Sequence, residues 1–389
     1  MRILYCAIDQ RVPGTWGGSI HVRAVAEGLA ARGHEVHVLV GPGKAGFPAG
    51  AVHWHALAAP FGTPRLRLAR TPRVLALARA IQPDVVLERY QNFGGEGIVA
   101  ARRTGAPAVL EINAPVIDHP GSFKQLLDRL LVVEPMRRWR DWQCRVAQLL
   151  ITPDATIVPA WVSRDRILEI EWGADTERFH PGARPAGPLA RTPGDTVAIF
   201  AGAFRTWHGA IKLVDAVARL RALGERTLKA VFVGDGPELA RTARAAQGLE
   251  GVTFLGAVTH EEMPGLLAAA DIGVAPFDVA AHAPLALGFY WSPLKVFEYM
   301  ASGLPVVAPS IDRLRRIVGN GEEGILYDAS DPEGLPRALR ELLDPGRREV
   351  LARSARARAV RDFSWKGHCS ALERALSRLV ERPGMIARP

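Results

Sequence analysis

Cysteine is scarce in this chain: Cys6, Cys144 and Cys369 are three in 389 residues, far apart and without ligand spacing. That scarcity excludes a disulfide framework and a cysteine-built metal site, and it predicts a reducing compartment with three plain filler thiols. Uncharged apolar runs of about 18 residues are missing as well, so no segment is predicted to span a membrane. The opening MRILYCAIDQ meets an acid at Asp9 after a very short apolar run, which predicts a first strand and not a signal peptide. Together these absences predict a cytoplasmic protein, free in solution or peripheral at the inner membrane face. Zinc-finger spacing and an aromatic RNA-recognition signature are absent, so nucleic acid is not the expected partner although the formal net charge is +9. Anionic substrates or acidic lipid headgroups suit such a surface equally well. No acidic or histidine cluster shows metal spacing along the chain, so no metal site is expected.

What is present describes a folded protein larger than one comfortable core, which predicts two domains. Residues 2–8 read as a buried strand, followed by a loop with Gly17 and Gly18, a helix over Ile20–Arg32 and a strand over 35–41. This is the start of a parallel sheet, and the glycine pair ahead of a helix suits close backbone approach by a ligand. The loop is not GxGxxG, which argues against a nicotinamide dinucleotide. A helical stretch from Pro64 to Gln82 carries Arg65, Arg67, Arg70, Arg73 and Arg79, which reads as a solvated basic face or as a contact for a membrane or an anionic acceptor. Strands over 84–90 and 107–115 follow, with Glu88, Arg89, Glu111 and Asn113 at or near their carboxyl ends, the edge where open parallel sheets bind ligands. Those groups could also pair only with one another across the sheet. A long helical region over Ser122–Gln148 contains MRRWRDWQCR, whose tryptophans pack onto the domain or anchor at an interface.

Residues 183–195, rich in proline and glycine, read as a linker, after which the same grammar restarts with strands over 197–202, 229–234 and 271–277. The stretch SPLKVFEYMASGLPVVAP over Ser292–Pro309 holds the most informative helix. Ser292 and Pro293 predict its capped start, and Gly303 and Pro305 its end. Leu294, Phe297, Met300 and Ala301 share one face, while Lys295 and Glu298 project from another. A cation in the first turn opposes the helix dipole by roughly 0.3 to 1 kcal/mol, and a bound anion would reverse that sign. The helix start, Lys295 and Glu298 therefore predict a site for a phosphate with hydroxyls, which is to say a nucleotide. Two doubly wound domains result, and a cleft between such domains is a natural binding place.

These residues resemble the retaining, nucleotide-sugar-dependent glycosyltransferases of family 4. The resemblance runs along nearly the whole chain, through GHEVHVL, LERY, LEINAP, GADTERFHP, FAGAFRTWHGAIKLVDA, VFVGDGPE, LAAADIGVAPF, SPLKVFEYMASGLPVVA, GILYD and FSW. It implies the GT-B fold: an acceptor-binding Rossmann-like domain over 1–182, a linker over 183–195, a nucleotide-sugar-binding domain over 196–365, and a final helix, within 366–389, that returns to the first domain. It further implies that Glu298 holds the ribose hydroxyls and that Ser292, Pro293, Leu294 and Lys295 bound the diphosphate site. By the same resemblance, Gly17 and Gly18 approach the donor phosphates or the acceptor, Gly202 and Gly234 approach the donor, and Asn113 stands where many members have an active-site histidine. Three departures stand out. Tyr290 replaces a glutamate that usually touches the sugar, Trp172 replaces an asparagine, and Ala203 and His208 replace an arginine and a lysine of the phosphate clamp. Arg205 and Lys295 are left as its cations. The resemblance implies transfer of a sugar from a nucleoside diphosphate to an acceptor hydroxyl with retention, by front-face attack and without a required cofactor or metal. The departures leave a degenerate sugar-nucleotide-binding or scaffold protein of the same fold as the alternative, and an epimerase as a third reading. The acceptor, whether glycan, lipid-linked or small, is not legible.

Overall fold

Near-continuous apolar runs such as ILYCAI and VAIFA can be buried on both faces only when helices cover a parallel sheet from both sides. The computed structural model, which describes all residues except 44, 59–60, 62–67, 92–93, 117–125, 127–129, 131–133, 185–188, 190, 283–287 and 382–389, has two such sheets. They lie in separate compact units. One comprises Met1–Trp172, Tyr290–Ser292 and Trp365–Pro389, the other Gly173–Phe289 and Pro293–Ser364. The division falls upstream of the boundary expected at 182, so the described part of the predicted linker belongs to the second unit.

The first unit holds seven parallel strands, β1 (Arg2–Arg11), β2 (Glu35–Gly41), β3 (Val52–Ala56), β4 (Val85–Arg89), β5 (Ala108–Glu111), β6 (Leu149–Thr152) and β7 (Ile167–Glu169), in the order β3-β2-β1-β4-β5-β6-β7. The order reverses between β1 and β4, the topological switch point at which doubly wound sheets take ligands. One face packs Ile3, Tyr5, Val36, Val38 and Leu87 against Val22, Val25 and Leu29 of the helix Gly17–Ala30 and Leu372, Leu376 and Leu379 of the helix Trp365–Glu381. The two helices touch closely at Gly28, where a Cβ would meet Cys369 Sγ at 2.5 Å. Arg32 and His34 both reach Glu373 beside them.

The second unit has six parallel strands, β8 (Thr196–Ala201), β9 (Leu228–Val233), β10 (Val252–Gly256), β11 (Ile272–Val274), β12 (Val306–Pro309) and β13 (Gly324–Tyr327), in the order β10-β9-β8-β11-β12-β13. Phe200, Phe204, Phe232 and Phe254 pack together in its core. The helix Leu294–Ala301 is fastened to this sheet through Tyr299. The tyrosine ring lies where a Cβ on Gly273 would be, at 2.5 Å, and its hydroxyl accepts the Ala201 N–H at 2.7 Å.

Several helices differ from expectation for identifiable reasons. The first begins at Gly17, so the glycine pair opens the helix and does not precede it. The stretch expected to be helical from Pro64 is helix over Thr71–Ile81; Arg65 and Arg67 lie outside the described residues. Arg70 is not part of a solvated basic face, because its guanidinium is buried against Glu96 at 2.7 Å. The region expected as one helix from Ser122 is described as helix over Pro135–Val146, with most of its upstream part outside the described residues. Its tryptophans turn onto the protein: Trp139 Nε1 donates to the Gly94 carbonyl at 2.8 Å and stacks on Trp142. Among the described residues no helix is long and apolar enough to cross a membrane.

Replacing the fully buried Leu376 by alanine leaves a cavity under the first sheet and is expected to cost about 2 to 5 kcal/mol. Denaturant unfolding read on that unit should show a lower midpoint, and an unchanged midpoint would contradict this packing.

Candidate functional site

The helix Leu294–Ala301 starts one residue later than its sequence suggested. Pro293 is the N-cap and has no side chain to cap with, while the Ser292 hydroxyl donates to Glu171 Oε2 at 3.2 Å. The first-turn N–H groups therefore have no capping side chain. The assignment of faces is also corrected: Leu294 is half-buried, whereas Lys295 lies inside with Val296, Phe297, Tyr299, Met300 and Ala301.

Lys295 is 9% exposed, and its Nζ has no hydrogen-bond partner among the described residues. The ammonium sits 4.1 Å from the centroid of Phe200 and 5.5 Å from that of Phe277, and these ring faces only partly replace lost hydration. Burial pushes its pKa down to about 7, with Glu298 pulling the other way. Two glycines let backbone and amine come this close. Gly202, just past β8, has φ +133°, and a Cβ on it would lie 3.0 Å from Lys295 Nζ. At Gly234, just past β9, φ is +127° and a Cβ would strike the Gly202 carbonyl oxygen at 2.0 Å. Gly234 has no room for a side chain, and at Gly202 the positive φ would strain one.

His208 stands nearby, its Nδ1 donating to the Ala203 carbonyl at 2.6 Å. Burial, and then Lys295, push its pKa down to about 3, so it is neutral and cannot stand in for the clamp lysine. Arg205 lies 5.3 Å from the Trp207 ring. One turn into the helix, the Glu298 carboxylate is largely buried with His260 Nε2 at 3.4 Å. The second unit thus gathers Lys295, Glu298, Arg205, His208, Gly202 and Gly234, together with Pro293 and Leu294.

The remaining predicted residues belong to the first unit. Gly17 and Gly18 form the first helical turn, and a Cβ on Gly18 would collide with the Gln10 side chain. Tyr290 is buried, and desolvation pushes its phenol up to about 12, so it offers no carboxylate-like charge. Asn113 donates to Glu111 and accepts from Trp172 Nε1 at 3.1 Å. Glu111 also accepts from the Tyr5 hydroxyl and from Arg89 Nη1 at 3.1 Å, while His21 Nε2 lies 2.5 Å away. Burial would raise the Glu111 carboxyl, but His21, Arg89 and Tyr5 outweigh it and hold it well below the usual carboxylate range. Burial pushes His21 below its ordinary value despite Glu111. Trp172 stacks on His21 at 4.2 Å, so the residue that departs from the family pattern lines, with His21, Glu111 and Asn113, a small pocket of the first unit. Sequence reading missed His21; the available signal was a histidine beside the apolar positions Val22, Val25 and Leu29 of the first helix.

It also missed a histidine cluster. Cross-strand register, which linear spacing cannot reveal, brings Glu35 and His37 of β2 beside His53 and His55 of β3.

Residues 195–345 match the family profile described as glycosyl transferases group 1, and residues 16–178 the one described as glycosyltransferase family 4. The chain is similar to the GDP-mannose-dependent alpha-mannosyltransferase of Corynebacterium glutamicum, 25% identical over 96% of this chain and 87% of that protein. It is also similar to the D-inositol 3-phosphate glycosyltransferase of Salinispora tropica, 29% identical over 91% of this chain and 80% of that protein. Among solved structures, sucrose-phosphate synthase from Thermosynechococcus elongatus matches with a TM-score of 0.73 at 19% identity, over 98% of this chain and 99% of that one. Anabaena HepE, solved in complex with UDP and glucose, matches with a TM-score of 0.68 at 21% identity, over 97% and 100% of the two chains. With its two parallel sheets, the fold is GT-B.

The buried carboxylate network predicts how stability depends on pH. His21 and Glu111 both have folded pKa values below their unfolded ones, so the folded state binds fewer protons and stability falls as pH falls. The loss begins near pH 6.5 for His21 and near pH 4.5 for Glu111. Glu111→Gln removes one of the two carboxylates facing Arg89, leaving Asp9, and is expected to cost about 1 to 3 kcal/mol at pH 7 while flattening the dependence below pH 4.5. Unfolding midpoints measured from pH 3 to 8 check this; identical curves for the two proteins would refute it.

Proposed function

The chain belongs to glycosyltransferase family 4, and we propose that its second unit binds the diphosphate of a nucleoside diphosphate-sugar at the start of the helix Leu294–Ala301. The observation that carries this reading is the buried Lys295 amine beside the Gly202 backbone, without a hydrogen-bond partner among the described residues. A group of that kind is costly without a counter-charge, and a diphosphate supplies one. The uncapped first-turn N–H groups add donors and the positive end of the dipole. Glu298, one turn on, accepts hydrogen bonds from the ribose hydroxyls, and Arg205 supplies a second cation.

In the transfer, the bond from the anomeric carbon to the phosphate oxygen breaks and its electron pair stays on the phosphate. The acceptor oxygen bonds to the same face of that carbon, and its proton passes to the departing phosphate. Lys295 stabilises the developing negative charge from a fixed position in a dry site, where such charge is worth most. Because the protein supplies this charge itself, we propose transfer with no obligatory metal. The acceptor is received by the first unit, with Asn113 at its carboxyl edge. The degenerate-scaffold reading is not favoured, since the relatives that span most of the chain carry the names of transferases.

Turnover of a panel of nucleotide sugars, with and without EDTA, tests this proposal. Lys295→Met is expected to lower donor hydrolysis by about 100-fold or more, and Glu298→Ala to weaken donor binding by roughly 10-fold. Asn113→Ala should lower transfer while leaving donor affinity in place, and EDTA should leave the rate unchanged. Wild-type turnover by Lys295→Met would sink the assignment, and loss of turnover in EDTA would sink the metal-free chemistry.

A further inference from the structure

In the parallel pair β2 and β3, His37 lies directly opposite His53, and Leu39 opposite His55. Side chains alternate along a strand, so Val36, Val38, Val40 and Val52 turn to the core. Glu35, His37, His53 and His55 then share the other face. Their rings form a stack: His37 lies 4.6 Å from His53 at an interplanar angle of 19°, and 5.3 Å from His55 at 12°. The central ring, His37, is buried and committed on both sides. Its Nε2 lies 3.0 Å from Glu35 Oε1, and its Nδ1 lies 3.1 Å from His55 Nε2. Glu35 and His53 are exposed, and β3 is the edge strand of the sheet. Nothing in the sugar-transfer chemistry uses these four residues.

We propose that Glu35, His37 and His53 form a binding site for a divalent transition-metal ion of the zinc class, with His55 as the group that orients His37. The three side chains each offer one ligand atom, and those atoms lie within 4.8 Å of one another. Ligands about 2.0 to 2.2 Å from a tetrahedral zinc ion stand roughly 3.3 Å apart. Closing the difference needs only side-chain rotation by Glu35 and His53, which face solvent. Imidazole nitrogen with one carboxylate suits zinc, nickel or copper and does not suit magnesium or calcium, which take oxygen shells.

The contact between His37 and His55 completes the arrangement. With the ion on Nε2, the His37 Nδ1–H donates to His55 Nε2 and fixes tautomer and ring orientation, the usual role of a partner behind a metal-bound histidine. Three protein ligands leave the fourth position to solvent. The ion would pin the edge strand β3 to β2 and brace this side of the first unit, apart from donor chemistry.

The test uses the full chain stripped with a chelator and titrated with zinc chloride by calorimetry, and with cobalt chloride by visible absorption. One saturable equivalent is expected, with tetrahedral cobalt bands. Glu35→Gln and His53→Ala, both at exposed positions that the fold does not need, should each weaken binding about 10- to 100-fold, and His55→Ala by up to roughly 10-fold. Donor hydrolysis by His53→Ala should match the wild type, which separates this site from the sugar-transfer assignment. Absence of a saturable equivalent in the wild-type chain overturns the proposal. So does undiminished binding by the Glu35→Gln, His53→Ala double variant, which would place the ion on other histidines.

Discussion

A buried amine without a hydrogen-bond partner among the described residues is the constraint around which the second unit is arranged. Lys295 stands over Phe200 and Phe277, on a helix held to the sheet by the Tyr299 hydroxyl and by the space that Gly273 leaves for the Tyr299 ring. Gly202 takes a positive φ close beside the amine, and at Gly234 a neighbouring carbonyl oxygen lies where a Cβ would be. His208 is kept neutral partly by the same amine. Each of these features makes sense once an anion is expected at that point, and together they hold the amine in place before the anion arrives. Preorganisation of this kind costs stability in the free protein and is recovered on binding.

The first unit handles buried charge in the opposite way. Glu111 is surrounded by Tyr5, Arg89, Asn113 and His21, and Arg89 also reaches Asp9. A carboxylate so supplied needs nothing further. The network fixes the carboxyl ends of β1, β4 and β5, and through Asn113 and Trp172 it fixes the floor of the adjoining pocket. Satisfied charge builds a rigid platform, and unsatisfied charge marks where a ligand belongs.

Much of this was legible in the sequence, for physical reasons. Apolar runs alternating with helical periodicity give a doubly wound sheet twice over, and the cation in the first turn of SPLKVFEYMASG pointed to an anion before any relative was considered. What escaped depends on long-range placement. Periodicity put Lys295 on an open face, because on so short a helix a buried cation over aromatic rings leaves the same pattern as a solvated one. Arg70 looked like one member of a basic stripe until Glu96, from the next helix, claimed it. His21 and the cluster around His37 were invisible for the same reason: their partners arrive by strand register and helix docking, which linear spacing does not encode. The substitution at Trp172, read as a loss, proves to be a packing element stacked on His21.

The central claim is that the donor diphosphate is the partner Lys295 lacks, and proton uptake on donor binding tests it most directly. With its pKa near 7, the free amine is mostly neutral at pH 8, and a diphosphate beside it restores the charged form. Calorimetric titration with UDP-glucose, GDP-mannose and other nucleotide sugars, in two buffers of different ionisation enthalpy, reads that proton. The account predicts uptake of close to one proton at pH 8, little at pH 6, and none for Lys295→Met at either pH. Donor binding at pH 8 with no proton taken up, or with the same uptake by Lys295→Met, would contradict it.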